Sequence, residues 1–86
     1  MQTMQIRTEL LFQNKMGVLR NLTEIFFLMQ LNVLEIHQKL EDNGKFAHIT
    51  LLMEAKEEDY YLHDRLLDRI RMEIPEFQSG KLIEMK

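Results

Sequence analysis

Few side chains in this 86-residue sequence could do chemistry. Histidines stand at His37, His48 and His63. His37 and His48 lie on either side of a turn-rich segment and are placed to face each other across it, but no His-Glu-x-x-His or comparable ligand spacing accompanies them. They read as polar, partly exposed strand histidines, and no metal site is expected. There is no cysteine, which removes thiol nucleophiles, disulfides, iron–sulfur ligation and thiolate zinc sites together. Gly-x-Ser-x-Gly, Gly-x-x-x-x-Gly-Lys and Gly-x-Gly-x-x-Gly are all missing. With no nucleophile and no acid–base pair, the expectation is a chain without catalytic activity and without a cofactor.

Two further groups invite a nucleic-acid reading. Gly44-Lys45-Phe46-Ala47-His48-Ile49 is similar to part of the third-strand motif of RNA-recognition domains, which stack bases on aromatic rings. The second ring that motif needs is replaced by His48, and Leu10 stands where the first strand would supply one. Arg65, Arg69 and Arg71 are interleaved with Asp64 and Asp68, as on a solvated helix face with local ion pairs. Neither group makes a basic groove. The most specific chemical feature is instead Phe12-Gln13-Asn14-Lys15-Met16-Gly17-Val18-Leu19, where a glycine precedes a helical pattern. Such a glycine lets the chain turn tightly, and the first amides of the helix, unpaired, can receive a carboxylate.

The elements that must hold these residues follow from periodicity. Ile6, Thr8, Leu10 and Phe12 alternate with Arg7, Glu9 and Leu11, which predicts a first strand. Val18, Leu19, Leu22, Ile25, Phe26 and Met29 carry the three-and-four spacing of a helix from Val18 to about Gln30. Val33 to Leu40 predicts a second strand, with Glu35, His37 and Lys39 on one side and Leu34, Ile36 and Leu40 on the other. Glu41-Asp42-Asn43-Gly44-Lys45 contains the Asn-Gly pair of a tight hairpin, and Phe46 to Met53 returns as a third strand. An acidic stretch from Glu54 to Asp59 leads into a second helix with Leu62, Leu66, Leu67 and Ile70, ending before Pro75. Phe77 to Met85 closes as a fourth strand with a bulge or bend at Gly80. The order β-α-β-β-α-β predicts an α+β, ferredoxin-like sandwich: a four-stranded antiparallel sheet with two helices on one face.

Composition sets the remaining bounds. The length allows one domain, read here as residues 4–86 with 1–3 a flexible N-terminus. Hydrophobic residues make up 45% and charged residues 29%, as in ordinary folded chains rather than disordered ones. A net charge of -3 argues against phosphate binding by a basic surface, so nucleic acid is not an expected partner. The longest apolar run, Ile25 to Met29, is far too short to span a bilayer, and no membrane association is expected. A cytoplasmic location is the default for a chain without cysteine. Strands with apolar residues on both sides, Leu10 beside Leu11 and Ile49 and Leu51 against Phe46 and Leu52, suggest that the second sheet face or an edge is covered by another copy. Ile49 and Leu51 are the sheet residues on which such association is expected to depend.

At this point the sequence resembles the ACT domains, small βαββαβ regulatory modules of amino-acid-metabolic enzymes and of the stringent-response guanosine tetraphosphate synthetases/hydrolases. Asn14-Lys15-Met16-Gly17-Val18-Leu19 looks like that family's Asp/Asn-Arg-Pro-Gly-Val-Leu turn. Leu31-Asn32-Val33 resembles the Gly-Ile/Val-Asn-Ile that opens strand two. Arg65 to Arg71 with Ile74-Pro75 is similar to the second helix and its exit. The resemblance implies a non-catalytic allosteric domain that forms a homodimer or higher homo-oligomer. It also implies a free amino acid bound where one subunit's first loop meets its neighbour, and control of a parent or partner enzyme. Carried over by position, the ligand-binding residues would be Asn14, Lys15, Met16, Gly17, Val18, Leu19 and Asn32, the two asparagines matching those of the serine-regulated dehydrogenase members. Met16 replaces the motif's proline, Phe12 stands where those members have a histidine, and Glu76 replaces a glycine after helix two. The competing expectation is an interaction or dimerisation module with no small-molecule ligand.

Overall fold

The computed structural model describes residues 3–56 and 61–85. Its elements follow the expected order: β1 (Met4–Gln13), α1 (Val18–Leu28), β2 (Leu31–Glu41), β3 (Phe46–Ala55), α2 (Leu62–Glu73) and β4 (Phe77–Met85). The strands form one antiparallel sheet in the order β2-β3-β1-β4, with both helices on one face, so the ferredoxin-like sandwich stands. Most of the acidic approach to α2 falls at 57–60, outside the described residues; within α2, Asp64 in the first turn and Arg71 in the last suit the helix dipole.

One face of the central strands makes the core. Met4, Ile6, Leu10 and Phe12 of β1 and Ile49, Leu51 and Met53 of β3 are buried against Leu22, Ile25 and Phe26 of α1 and Leu66 and Ile70 of α2. At about 25 cal/mol per Å² of apolar surface removed from water, each large side chain so buried contributes ~1.5–3 kcal/mol. Ile49 and Leu51 therefore belong to this chain's own core and cannot also be the surface on which self-association depends. Their depth follows from the register, which sets Ile49 opposite Leu10.

The open sheet face and the edge strands differ in what they expose. Leu11, Phe46 and Leu52 lie on the open face half-buried, Leu11 beside a row of charged side chains, Glu9, Glu41, His48 and Lys81. Among the described residues, the large exposed hydrophobic side chains on strands are Leu34, Ile36 and Leu40 of β2 and Ile83 of β4. On the sheet, the exposed large apolar side chains thus belong to its two edge strands.

Turns and irregularities account for the rest. The hairpin loop has positive φ at Asp42, Asn43 and Gly44, one more residue than the Asn-Gly pair alone requires, and Lys45 N–H closes it on the Asp42 carbonyl at 3.1 Å. In β4 the pairing with β1 is regular at Gly80, opposite Leu10, and shifts instead on either side, at Gln78 and Ile83. Gly80 instead sits in close packing: a Cβ there would come within 2.7 Å of the Leu10 side chain and 2.8 Å of the Leu67 side chain, whose ends would have to shift to admit it. β2 also departs from strict alternation, with an extra residue at Leu34 between Val33 and Glu35.

Thr8 is fully buried in the middle of β1, and its hydroxyl has no hydrogen-bond partner. A polar group in that position costs free energy that a methyl would not. Thr8→Val is expected to stabilise the fold by about 1 kcal/mol in denaturant titration, and Ile49→Asp, which buries a charge, to unfold the monomer.

Candidate functional site

The junction of β1 and α1 is held from both sides. Gln13 N–H donates to the Glu76 carbonyl at 2.8 Å, and Asn14 N–H to the Lys45 carbonyl at 2.8 Å. The Asn14 side-chain amide also donates to the Gly44 carbonyl at 2.8 Å, tying the junction to the β2–β3 hairpin. Gly17 then caps the helix with φ of 89°, a left-handed conformation that any residue with a Cβ adopts only with strain, although the space around it is open. The expected role of this glycine in shaping the turn is what the geometry shows.

The first turn of α1 has no side-chain cap and no acidic residue. Its positive end therefore meets solvent and whatever enters beside it. Beside it lies a hollow of about 170 Å³ lined by Asn14, Gly17, Val18, Leu19, Gln38 and Ile49, with Lys15 and Arg20 also at its border. Backbone amides and two cations suit a carboxylate, the carbonyl and amide groups of Asn14 and Gln38 suit an ammonium or hydroxyl, and Val18 and Ile49 offer an apolar wall. Met16 does not line this hollow; it points fully into solvent.

Asn32 is not part of this arrangement within one chain. It pairs with Glu54 near the far end of β3, whereas Asn14 bonds to Lys45 at the near end. The eight steps from Phe46 to Glu54 put roughly 26 Å between those ends at ~3.3 Å per residue. The fold thus brings Asn14, Lys15, Gly17, Val18 and Leu19 together and leaves Asn32 apart.

The histidines also differ from expectation. The register sets His37 opposite Thr50 and His48 opposite Lys39, so the two are diagonal neighbours rather than a facing pair. His48 instead lies between two carboxylates, with Nε2 3.4 Å from Glu9 and Nδ1 3.4 Å from Glu41, and Lys81 reaches Glu9 at 3.2 Å. This row crosses all four strands, one residue from each, so no local sequence spacing could have announced it. Among the described residues no group of three His, Cys, Asp or Glu side chains is placed to hold a metal ion. On α2, Arg69 and Arg71 pair with Glu73 and Asp68, and Arg71 stacks over Phe77 at 5.7 Å. No helix among the described residues is long and apolar enough to cross a membrane.

Solved structures place this geometry in a known class. The ACT domain of a GTP pyrophosphokinase from Chlorobium tepidum superimposes with a TM-score of 0.74, covering 95% of this chain and 100% of its own, at 13% identity. The chain has the fold of the ACT domains. The acetolactate synthase small subunit from Thermotoga maritima gives 0.73 over 93% of the chain at 15% identity, and a protein from Galdieria sulphuraria gives 0.76 over 96% at 13%. The chain spans only 47% and 46% of the lengths of those two proteins. No protein-family profile matches the sequence, and neither does any curated protein. The ACT fold is therefore visible here through shape.

One titrating group bears on stability. Burial lowers the pKa of His63 on α2 below its ordinary 6.5, against the opposing influence of Asp64 and of a backbone hydrogen bond with Lys81. Its Nε2 is buried without a partner. Because the folded value lies below the unfolded one, His63 has no effect on stability above pH 6.5 and lowers it as pH falls from there through the folded value. His63→Gln should remove that component, so the difference in melting temperature between the two proteins should change between pH 7.5 and about 5.

Proposed function

We propose that the chain is a non-catalytic regulatory module that self-associates and binds a free amino acid at Asn14–Leu19, with Asn32 supplied by a second copy. The observation that carries this reading is the uncapped N-terminus of α1 opening onto a hollow with an apolar wall, at the turn where the sequence resembles the ACT motif. The carboxylate would lie against the first-turn amides with Lys15 and Arg20 near it, and the side chain against Val18 and Ile49. The separation of Asn14 from Asn32 supports a site shared between copies.

Control then follows from linkage. A ligand held by two chains binds the associated form better than the separated one, and shifts an attached or partner enzyme by that difference in affinity. The cytoplasm, with its pool of free amino acids, is the proposed setting. One observation favours a second reading, an interaction module with no small ligand: the Asn14 amide is already engaged with Gly44 inside the fold.

A thermal-shift screen of the full chain against the twenty amino acids separates the two. Binding to the native state alone adds about 2.7 kcal/mol of stability at a hundredfold excess over Kd. One amino acid is expected to raise the midpoint, and Asn32→Ala to abolish that rise without changing the unliganded midpoint. Asn14→Ala should abolish it too, while lowering the unliganded stability by about 1 kcal/mol through the lost hydrogen bond. Equal shifts in all three proteins would remove the site, and a flat screen would leave the interaction module.

A further inference from the structure

The turn between β2 and β3 holds two residues whose chemistry the fold leaves unused. Asn43 and Gly44 are its central pair, with φ of 55° and 84°, closed by the Lys45 N–H on the Asp42 carbonyl at 3.1 Å. Asn43 is exposed, and among the described residues neither its side-chain amide nor the Gly44 N–H makes a hydrogen bond. No atom lies within 4 Å of where a Cβ on Gly44 would stand. An amide carbon, Cγ of Asn43, is thus followed by a main-chain nitrogen that no side chain screens and no partner holds. The other three asparagines differ. Asn14, Asn21 and Asn32 are followed by Lys15, Leu22 and Val33, and Asn21 and Asn32 lie within α1 and β2.

We propose that Asn43 is a site of self-modification, converted through a cyclic imide with Gly44 to aspartate and isoaspartate, and that Asn14 sets the rate. The Gly44 nitrogen attacks Cγ of Asn43, so that an N–Cγ bond forms and the Cγ–Nδ2 bond breaks. The Gly44 amide proton passes through solvent to the departing nitrogen, which leaves as ammonia. Water then opens the imide ring. Cleavage at Cγ leaves an ordinary aspartate, whereas cleavage at the main-chain carbonyl leaves isoaspartate, with the chain running through the former side chain. Nothing is oxidised or reduced, and water is the co-reactant.

For the nitrogen to reach Cγ, the peptide joining Asn43 to Gly44 must rotate, and the Gly44 carbonyl must move with it. That carbonyl accepts from Asn14 Nδ2 at 2.8 Å, and the next one, of Lys45, accepts from the Asn14 N–H at 2.8 Å. Asn14 therefore clamps the turn, and attack awaits its local opening. The product acts back on the clamp. Isoaspartate lengthens the main chain of the turn by one carbon, and the geometry of a hairpin depends on the length of its loop. The Gly44 carbonyl then leaves its place, which frees the Asn14 amide at the border of the hollow beside α1. A carboxylate is added next to Asp42. The candidate site is thus changed in one direction, at a pace governed by a single side-chain hydrogen bond.

The full chain, held in warm, mildly alkaline buffer, tests both parts, with peptide mapping and isoaspartate-specific methylation as readouts and circular dichroism as the check on folding. Isoaspartate and the matching loss of ammonia are expected at Asn43, with Asn14, Asn21 and Asn32 intact. Asn43→Gln, whose longer side chain closes a ring far less readily, should abolish both signals. Asn14→Ala should speed conversion roughly fivefold, the factor that loss of one net hydrogen bond gives to opening of the turn. Asn14→Asp, which keeps the shape and removes the donor, should speed it as well. The converted chain should melt at or below the midpoint of Asn14→Ala. Conversion at Asn43 no faster than at the other three asparagines would overturn the site. Equal rates in the wild type and in the folded Asn14 variants would overturn the clamp.

Discussion

Burial of alternate side chains of β1 and β3 beneath two helices is the constraint on which the rest of this molecule depends. Those strands are the centre of the sheet, and their helix-facing rows supply most of the strand contribution to the core. Once they are fixed, the outer strands have no choice of face, because facing residues share a side. Ile36 and Leu40 must then point to the helix side, where no helix covers them, and the charged residues of β2 must point to the open side.

The same constraint shapes the candidate site. α1 has to lie over β3 and β1, so its N-terminus arrives beside the start of β3 and the hairpin. Gly17 makes that return in a short loop by taking a left-handed conformation, and Asn14 locks the loop to Gly44. What remains at the junction is a helix end without a cap, a small hollow and two cations. A carboxylate is the group such an end receives most readily. Asn32 lies at the other end of the sheet because β2 is antiparallel to β3, so a site using both asparagines calls for two chains.

The open face carries a different lesson. Apolar residues on both sides of β1 and β3 look, in sequence, like a surface waiting for a partner. In the fold, Lys81, Glu9, His48 and Glu41 form a row across the four strands above Leu11. Half-buried leucines beneath long charged side chains are compatible with water, whereas the exposed apolar residues of an unpaired edge are a standing invitation to association.

By itself the sequence determined what is local or periodic: the six elements in order, the inward row Ile6, Thr8, Leu10 and Phe12, the glycine turn before α1, and the resemblance that pointed to the ACT fold. These were legible because strand alternation, helical spacing and a left-handed glycine are imposed by the backbone over a few residues. Only the tertiary structure decided that Ile49 and Leu51 are core, that Gly80 packs against the Leu10 and Leu67 side chains rather than marking a bulge, and that His48 meets Glu9 and Glu41 instead of His37. It alone decided that Asn14 and Asn32 stand at opposite ends of one sheet. Each of these depends on the register between strands far apart in the chain. A shift of one residue there reverses every side chain without altering any local pattern.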